Sequence, residues 1–371
     1  MTTVSAARYS PASSSAPTER PPRMASDQDI LSQLNTSAER GVRPARAQAA
    51  LAEVPDLAET LASLEQQLTS ATDDAEARLQ AAARHLVSAG GKRIRPLVSL
   101  LSCGANGGPL SAALPYAVAA ELTHSATLLH DDVIDDGPMR RGQPASRVIW
   151  GNSVSVLAGD WLLTRALEIV ATAPAARLAL LPLLATMRRL VEGEVLQLTF
   201  RGTFAATEAT YLQVVTGKTA SLFGWGAAAG AWAAGVEGEV PAALVRFGEG
   251  IGVAFQLVDD ALDYAADPGV LGKKLGADLL EGKATLPLIR ALDAQAGLRD
   301  RLQLLLDGKA DGDAVAGEVI EAVRRSGGVE AARAMARERT AQGMAALQAL
   351  PDGPHRRALA EAARSLTERA F

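Results

Sequence analysis

From about residue 48 onward, apolar positions recur at spacings of three and four along the chain. That is the period of a helix burying one face. AQAALAEVPDLAETLASLEQQL and DAEARLQAAARHLVSAGG both carry it, and the second stops at Gly90-Gly91, a pair that ends helices. PYAVAAELTHSATLLHDDVIDD reads as a long apolar helix with its acids gathered at the C-terminal end. Pro138 and Gly142 then mark a loop. NSVSVLAGDWLLTRALEIV, LPLLATMRRLVEGEVLQLTF and EATYLQVVTGKTASLFGWGAAAGAWAA read as further helices. ALVRFGEGIGVAFQLVDDALDYA is another, again with acids at its end. GVEAARAMARERTAQGMAALQAL and HRRALAEAARSLTERAF are amphipathic helices. Alternation at period two is nearly absent, and no short repeat is visible. The pattern predicts an all-α fold, a multi-helix bundle in one domain over residues 46–371.

Residues 1–45 break this pattern. SPASSSAPTERPP is rich in Ser, Pro and Ala and has no apolar period, so a disordered N-terminal tail is expected there. The longest uncharged apolar stretch runs from Thr219 to Val236. It is shorter than the roughly 20 residues a membrane span needs. Its Gly and Ala content suits a core helix that lets neighbours approach closely.

Composition narrows the classes. The chain has 371 residues, 48% of them hydrophobic, which is enough for a large core. A net charge of -5 argues against a general nucleic-acid binder. Cys103 is the only cysteine, so neither a disulfide framework nor a zinc cluster is expected. No apolar leader opens the chain, and a reducing, cytoplasmic location is expected.

The chemistry concentrates at two acidic clusters. Asp131, Asp132, Asp135 and Asp136 close one apolar helix, with Asp131 and Asp135 one turn apart on one face. Like charges at that spacing destabilise a helix end that already carries partial negative charge. Asp259, Asp260 and Asp263 repeat the arrangement, Asp259 and Asp263 sharing a face. A divalent cation resolves the repulsion, and oxygen donors without Cys or His point to Mg²⁺ or Mn²⁺. Mg²⁺ commonly takes one or two carboxylates and shares phosphate oxygens, so a diphosphate substrate is implied. Basic groups flank both clusters: Lys92, Arg93 and Arg95 upstream, Arg140 and Arg141 after the first, Lys218, then Lys273, Lys274 and Lys283. The expectation is that phosphate oxygens fill the space between these cations and the aspartates.

These residues sit in GGKRIRP, ELTHSATLLHDDVIDDGPMRRGQPA, WGNSVSVLAGDWLL, EGEVLQL, GKTASLF, GVAFQLVDDALDY and GKKLGADLLEGKATLPLI, spanning roughly residues 80–290. In that order they resemble the trans-isoprenyl diphosphate synthases, of the long-chain polyprenyl kind. The resemblance implies a helical isoprenoid-synthase bundle around a central cavity, usually a homodimer. It implies Asp131, Asp135 and Asp259 as Mg²⁺ ligands, with Asp132, Asp260 and Asp263 also catalytic. Lys92, Arg95, His124 and Arg141 match positions that hold isopentenyl diphosphate. Arg140, Lys218, Lys273 and Lys283 match those that hold the allylic diphosphate. Lys274 stands where the family often has an apolar or small residue, so which of the two lysines reaches the diphosphate is left open. Thr219 and Gln256 match polar groups lining the reacting carbon.

The implied reaction ionises the allylic diphosphate, adds isopentenyl diphosphate to the cation and loses a proton. Ala126 and Thr127, about one turn below Asp131, are small, which in such enzymes goes with longer products. An all-trans product of about C30 to C50, for quinone side chains, is expected by that analogy. The alternatives are a short-chain synthase of the farnesyl or geranylgeranyl kind, and the catalytic subunit of a heteromeric synthase. Transient membrane contact would serve product release.

Overall fold

The computed structural model describes residues 44–265, 276–295, 297–306 and 312–367. The expected tail falls almost wholly outside them, as do Lys273 and Lys274.

The chain is helical as the periodicity predicts. The helices are α1 (Pro44–Ala52), α2 (Leu57–Ser70), α3 (Ala77–Ser88), α4 (Ile94–Ala105) and α5 (Leu110–Ile134). A hairpin of β1 (Met139–Arg140) and β2 (Gln143–Pro144) follows. Then come α6 (Ser146–Trp150), α7 (Asn152–Thr172), α8 (Ala176–Phe200), α9 (Glu208–Val215), a π-helical turn (Thr216–Ala220), α10 (Ser221–Ala233) and α11 (Glu239–Ala265). The remainder is α12 (Ala277–Leu280), α13 (Leu286–Ala294), α14 (Leu298–Leu306), α15 (Gly312–Arg325), α16 (Gly328–Ala346) and α17 (Pro354–Thr367). Among the described residues the hairpin holds the only strands.

Two expected helices are interrupted. AQAALAEVPDLAETLASLEQQL splits at Pro55-Asp56, where Asp56 takes left-handed backbone (φ 58°). Proline lacks the N–H needed to continue the ladder. The stretch read as one helix from Glu208 to Ala233 contains the π turn. Elsewhere capping explains starts: Glu76 accepts from Arg78 N at 3.0 Å at the head of α3, and Thr207 accepts from Thr210 N at 3.2 Å at the head of α9.

Helices α10 and α11 form the interior. Every residue of α10 from Ser221 to Ala231 is buried, as expected for a core helix. A Cβ on Gly230 would lie 2.3 Å from the Ser99 carbonyl oxygen, so α4 and α10 touch backbone to backbone. Leu244, Phe247 and Ile251 of α11 join a large apolar cluster with α2–α5, α7, α10 and α17. Val253, Leu257 and Val258 join a second with α9, α13, α15 and α16. One helix therefore threads both clusters and ends at Asp259–Asp263, just as α5 ends at the first acidic run. No described helix is long and apolar enough to cross a membrane.

Candidate active site

The first acidic cluster closes α5. Asp131 lies in its last turn, and Asp135 caps it, donating its backbone N–H to Asp131 O at 2.8 Å. The four aspartates have different surroundings. Asp136 is exposed and pairs with Arg147 outside the cluster. Asp132 is buried; its Oδ1 accepts from Arg140 Nε at 2.8 Å and Nη2 at 2.6 Å, while its Oδ2 has no hydrogen-bond partner. Asp131 lies 3.6 Å from Lys218 Nζ. Asp135 accepts from Lys283 Nζ at 2.9 Å and from Arg201 Nη1 at 2.8 Å.

Arg140 sits directly on Asp132, and Arg141 turns inward. The physical reason is the cost of leaving a desolvated carboxylate bare, which makes the nearest cation its partner.

Charge placement sets the protonation preferences. Burial pushes the Asp131 carboxyl up, helped by Glu194 and Asp135 and opposed by Lys218 and Lys283. Burial also pushes Asp132 up, against Arg140. Asp135 goes the other way: burial would raise it, but Lys283, Lys218 and Arg201 hold it below its ordinary value. Burial disfavours the Lys283 ammonium, yet Asp135 and Glu281 outweigh that and raise its pKa.

The hairpin explains RRG. Arg141 (φ 51°) and Gly142 (φ 78°) both take left-handed backbone, the two-residue turn that suits a hairpin. The turn sends the two arginines to different places. Arg141 reaches back to Gly90 O and to Leu86 O (3.2 Å), with Glu121 at 3.5 Å. A Cβ on Gly91 would stand 3.1 Å from the Arg141 guanidinium carbon, so the glycine pair serves close approach as well as ending α3.

Glu121 is the centre of this second group. It is buried and accepts from Arg93 Nη1 at 2.7 Å, and Arg93 also binds Glu65 (2.7 and 3.0 Å) and Val87 O (2.8 Å). Arg93 is thus an internal tie. Arg95 lies 4.5 Å over the Phe223 ring and its Nε has no partner. Burial draws the Arg95 pKa down to about 10, with Arg141 adding and Glu121 opposing. His124 is held well below its ordinary value by burial and by Arg95. Lys92 is exposed beside this group.

The second acidic cluster does not present three equivalent carboxylates. Asp259 is exposed at the end of α11. Asp260 is buried and accepts from Tyr211 OH at 2.6 Å and Gln256 Nε2 at 2.7 Å. Burial raises its carboxyl to about 6 despite those two donors. Asp263 is buried and accepts the backbone N–H of Ala277 (3.2 Å) and Asp278 (3.1 Å), so both its oxygens cap the segment that follows. Asp259 and Asp263 lie four apart on α11, and Asp263 also holds backbone.

The two clusters meet through Lys218 and Thr219. Lys218 Nζ contacts Asp131, pairs with Glu194 and donates to Gln197 Oε1 at 3.0 Å. Thr219 donates to Gln256 Oε1 at 3.2 Å, and Gln256 donates on to Asp260. Ala126 is fully buried in the large core; Thr127 is half-buried and donates to His124 O at 2.8 Å. Sequence reasoning gave no role to Glu121, Arg201, Tyr211 or Glu194. EGEVLQL was already a matching segment, so Glu194 had a signal. The other three make contacts at separations of 28 to 80 residues, which local pattern does not carry.

Comparison with known proteins gives the family. A sequence model of the family described as Polyprenyl synthetase matches residues 76–323. The chain belongs to the polyprenyl synthetase family. It is a trans-isoprenyl diphosphate synthase by kinship, a prenyltransferase that elongates prenyl chains. An octaprenyl diphosphate synthase of Escherichia coli is 41% identical over 281 residues, covering 74% of this chain and 85% of that one. A short chain isoprenyl diphosphate synthase of Methanothermobacter thermautotrophicus is 38% identical over 304 residues, covering 81% and 93%. A polyprenyl synthase of Caulobacter crescentus, solved with calcium and isoprenyl diphosphate, superposes with a TM-score of 0.78 at 33% identity. It covers 94% of this chain and 100% of that one. Polyprenyl synthetases bind isoprenyl diphosphates and use a divalent metal.

Proposed function

We propose that this enzyme is a Mg²⁺-dependent synthase of long all-trans polyprenyl diphosphates, about C30 to C50 by analogy with long-chain relatives. The observation that carries the reading is convergence. Lys283, which follows the second acidic cluster, bonds Asp135 of the first; Lys218 contacts Asp131, and its neighbour Thr219 reaches Asp260 through Gln256.

The donor set fits a hard divalent cation. Asp131, Asp135 and Asp259 offer only oxygen, and the buried Oδ2 of Asp132 lacks a partner. Among the described residues no three His, Cys, Asp or Glu side chains form a ready-made cage. Such a set suits Mg²⁺, which keeps waters and completes its shell with phosphate. When bound, the metal would neutralise charge building on the leaving diphosphate. Mn²⁺ has the same oxygen preference.

The chain's own residues do the rest. Lys218, Arg140 and Lys283 hold the allylic diphosphate, a task that the family resemblance also gives to Lys273 or Lys274. Lys92, Arg95, His124 and Arg141 hold isopentenyl diphosphate. Arg95 and Arg141 are charged groups kept partly desolvated, so an entering anion relieves their repulsion. Asp260, held by Tyr211, orients the Gln256 amide so that Oε1 faces Thr219. These oxygen dipoles stabilise the allylic cation, and apolar helices exclude water that would trap it. Departing diphosphate is the natural acceptor for the proton lost.

The test is a product ladder. Labelled isopentenyl diphosphate and one allylic primer at a time are incubated with and without chelator, and dephosphorylated products are sized. A Mg²⁺-dependent ladder reaching C30 or beyond is expected. Ala126→Phe should shorten it, because a fully buried alanine leaves no room for a ring without closing the space beside it. An unchanged ladder removes Ala126 from the gauge. A stop at C15 or C20 keeps the chemistry but favours the short-chain reading. Absence of product turns attention to a partner subunit.

A homodimer is part of the proposal. Leu181, Leu184, Val191, Val195 and Leu198 leave an exposed apolar stripe along α8, beside Val156 and Leu157 of α7. A stripe of that kind needs a partner surface, and a second copy fits a soluble, cytoplasmic enzyme. Light scattering after gel filtration should give twice the 38.5 kDa chain mass, and Val191→Asp should reduce it to one copy. A monomeric parent would sink the dimer.

A further inference from the structure

Arg201, just past α8, joins three separate stretches of chain. Its Nη1 donates to Asp135 Oδ1 at 2.8 Å and to Ile134 O at 3.3 Å, and its Nε donates to Glu281 O at 2.9 Å. The next residue, Gly202, donates its N–H to Gly282 O at 2.8 Å. The turn held in this way carries Lys283, which donates to Asp135 Oδ2 at 2.9 Å and to Glu281 Oε2 at 2.6 Å. Each oxygen of Asp135 therefore already has a protein cation on it. Asp132, by contrast, has one oxygen without a partner.

A bare divalent cation approaching Asp135 meets two fixed positive charges. A metal arriving with diphosphate does not, because the anion more than cancels it and offers acceptors to both cations. Guanidinium and ammonium groups bind phosphate oxygens at least as well as carboxylate.

We propose that Arg201 and Lys283 form a cationic latch on Asp135, which holds the carboxylate until metal and diphosphate enter together and then passes to the diphosphate. This rests on the reading of Asp135 as a metal ligand. Arg201 is the positioning element: it fixes the Glu281–Lys283 turn against the end of α5. The consequence is coupling. Metal alone binds weakly, diphosphate strengthens it, and by linkage metal strengthens diphosphate by the same factor.

The experiment is Mn²⁺ binding to the full-length protein, followed by electron paramagnetic resonance, with and without inorganic pyrophosphate. In the parent, pyrophosphate should tighten Mn²⁺ binding at least tenfold beyond what the two form in free solution. In Arg201→Gln, Mn²⁺ alone should bind about tenfold tighter than to the parent, as expected when a like charge leaves the site. The gain from pyrophosphate should shrink accordingly, and Arg201→Lys should stay near the parent. Unchanged or weaker binding of Mn²⁺ alone to a folded Arg201→Gln overturns the latch. Should that variant not fold, the parent still decides, because no coupling between Mn²⁺ and pyrophosphate also overturns it. Asp135→Asn separates the two readings. If it binds Mn²⁺ and pyrophosphate like the parent, the metal assignment itself fails. If it loses binding while Arg201→Gln is unchanged, only the latch fails.

Discussion

Asp131→Ala and Asp259→Ala, made separately, are expected to lower kcat/KM about a thousandfold each while leaving circular dichroism and melting temperature near those of the parent. The activity effect follows from the reaction. Diphosphate leaves as an anion, and each carboxylate that holds a metal against it acts mainly in the transition state. The stability expectation follows from the contacts. Without Asp131, Lys218 keeps Glu194 and Gln197 as partners, so no cation is stranded. Asp259 is exposed, and its loss opens no cavity. Asp260 and Asp263 would be poor choices for the same test, since their carboxylates hold Tyr211, Gln256 and the backbone after residue 276. Steady-state rates with saturating Mg²⁺ and both substrates decide the matter. Turnover close to the parent in either variant would sink that residue as a ligand.

The largest effect on stability should come from Glu121→Ala. Both Glu121 and Arg93 are buried, and although Arg93 keeps Glu65 and the Val87 carbonyl, breaking this buried pair should cost about 3 kcal/mol, the lower end for such a loss. Arg141 faces the same carboxylate, so the variant also leaves that guanidinium without its counter-charge. The pair gives a pH signature as well. Burial would raise the Glu121 carboxyl, but Arg93, His124 and Arg141 hold it at about 2, below its ordinary 4.5. The unfolded chain therefore takes up a proton first. The stabilisation is complete above pH 4.5 and is lost as pH falls toward 2. His124 acts in the same direction from higher pH: its ordinary value is 6.5, burial keeps it neutral in the fold, and acid below 6.5 favours the unfolded chain. Urea unfolding at pH 7.5, 5.5 and 4 should show parent stability falling in steps of that order. In Glu121→Ala the fall below 4.5 should flatten. An identical pH slope in parent and variant would mean that Glu121 is not held as an anion.

Much of this was legible in the sequence because the signals are local. Three-and-four spacing marks a helix wherever it occurs, and α5, α7, α8, α11, α16 and α17 fall where it does. The two acidic runs stand out because like charges at a helix end demand an explanation. The hairpin behind RRG and the approach behind Gly90-Gly91 were visible as residues but not as geometry, since Arg141 and Gly91 lie fifty positions apart. Glu121 was harder: a single acid inside an apolar run has no local partner, and Arg93 and Arg141 come from other elements. Arg201 lies outside every motif, and only the folded chain brings it to Asp135. In the second cluster, three aspartates of one motif share a pattern but not an environment. Burial separates Asp259 from Asp260 and Asp263, and a spacing rule cannot rank them.

The π turn at Thr216–Ala220 holds one residue more than an α-helical turn would. Each residue advances a helix by about 100°, so the rod from Glu208 to Ala233 changes phase halfway along. Ahead of the turn, Tyr211 and Val215 pack into the second apolar cluster. Beyond it, Leu222, Phe223 and Trp225 pack into the first. An unbroken α-helix of this sequence would aim both halves by a single phase. The extra residue is thus a coupling between two cores, and Lys218 and Thr219 stand in the joint. A relative built without it would be one position shorter at this point and would need another way to turn the same rod toward both cores.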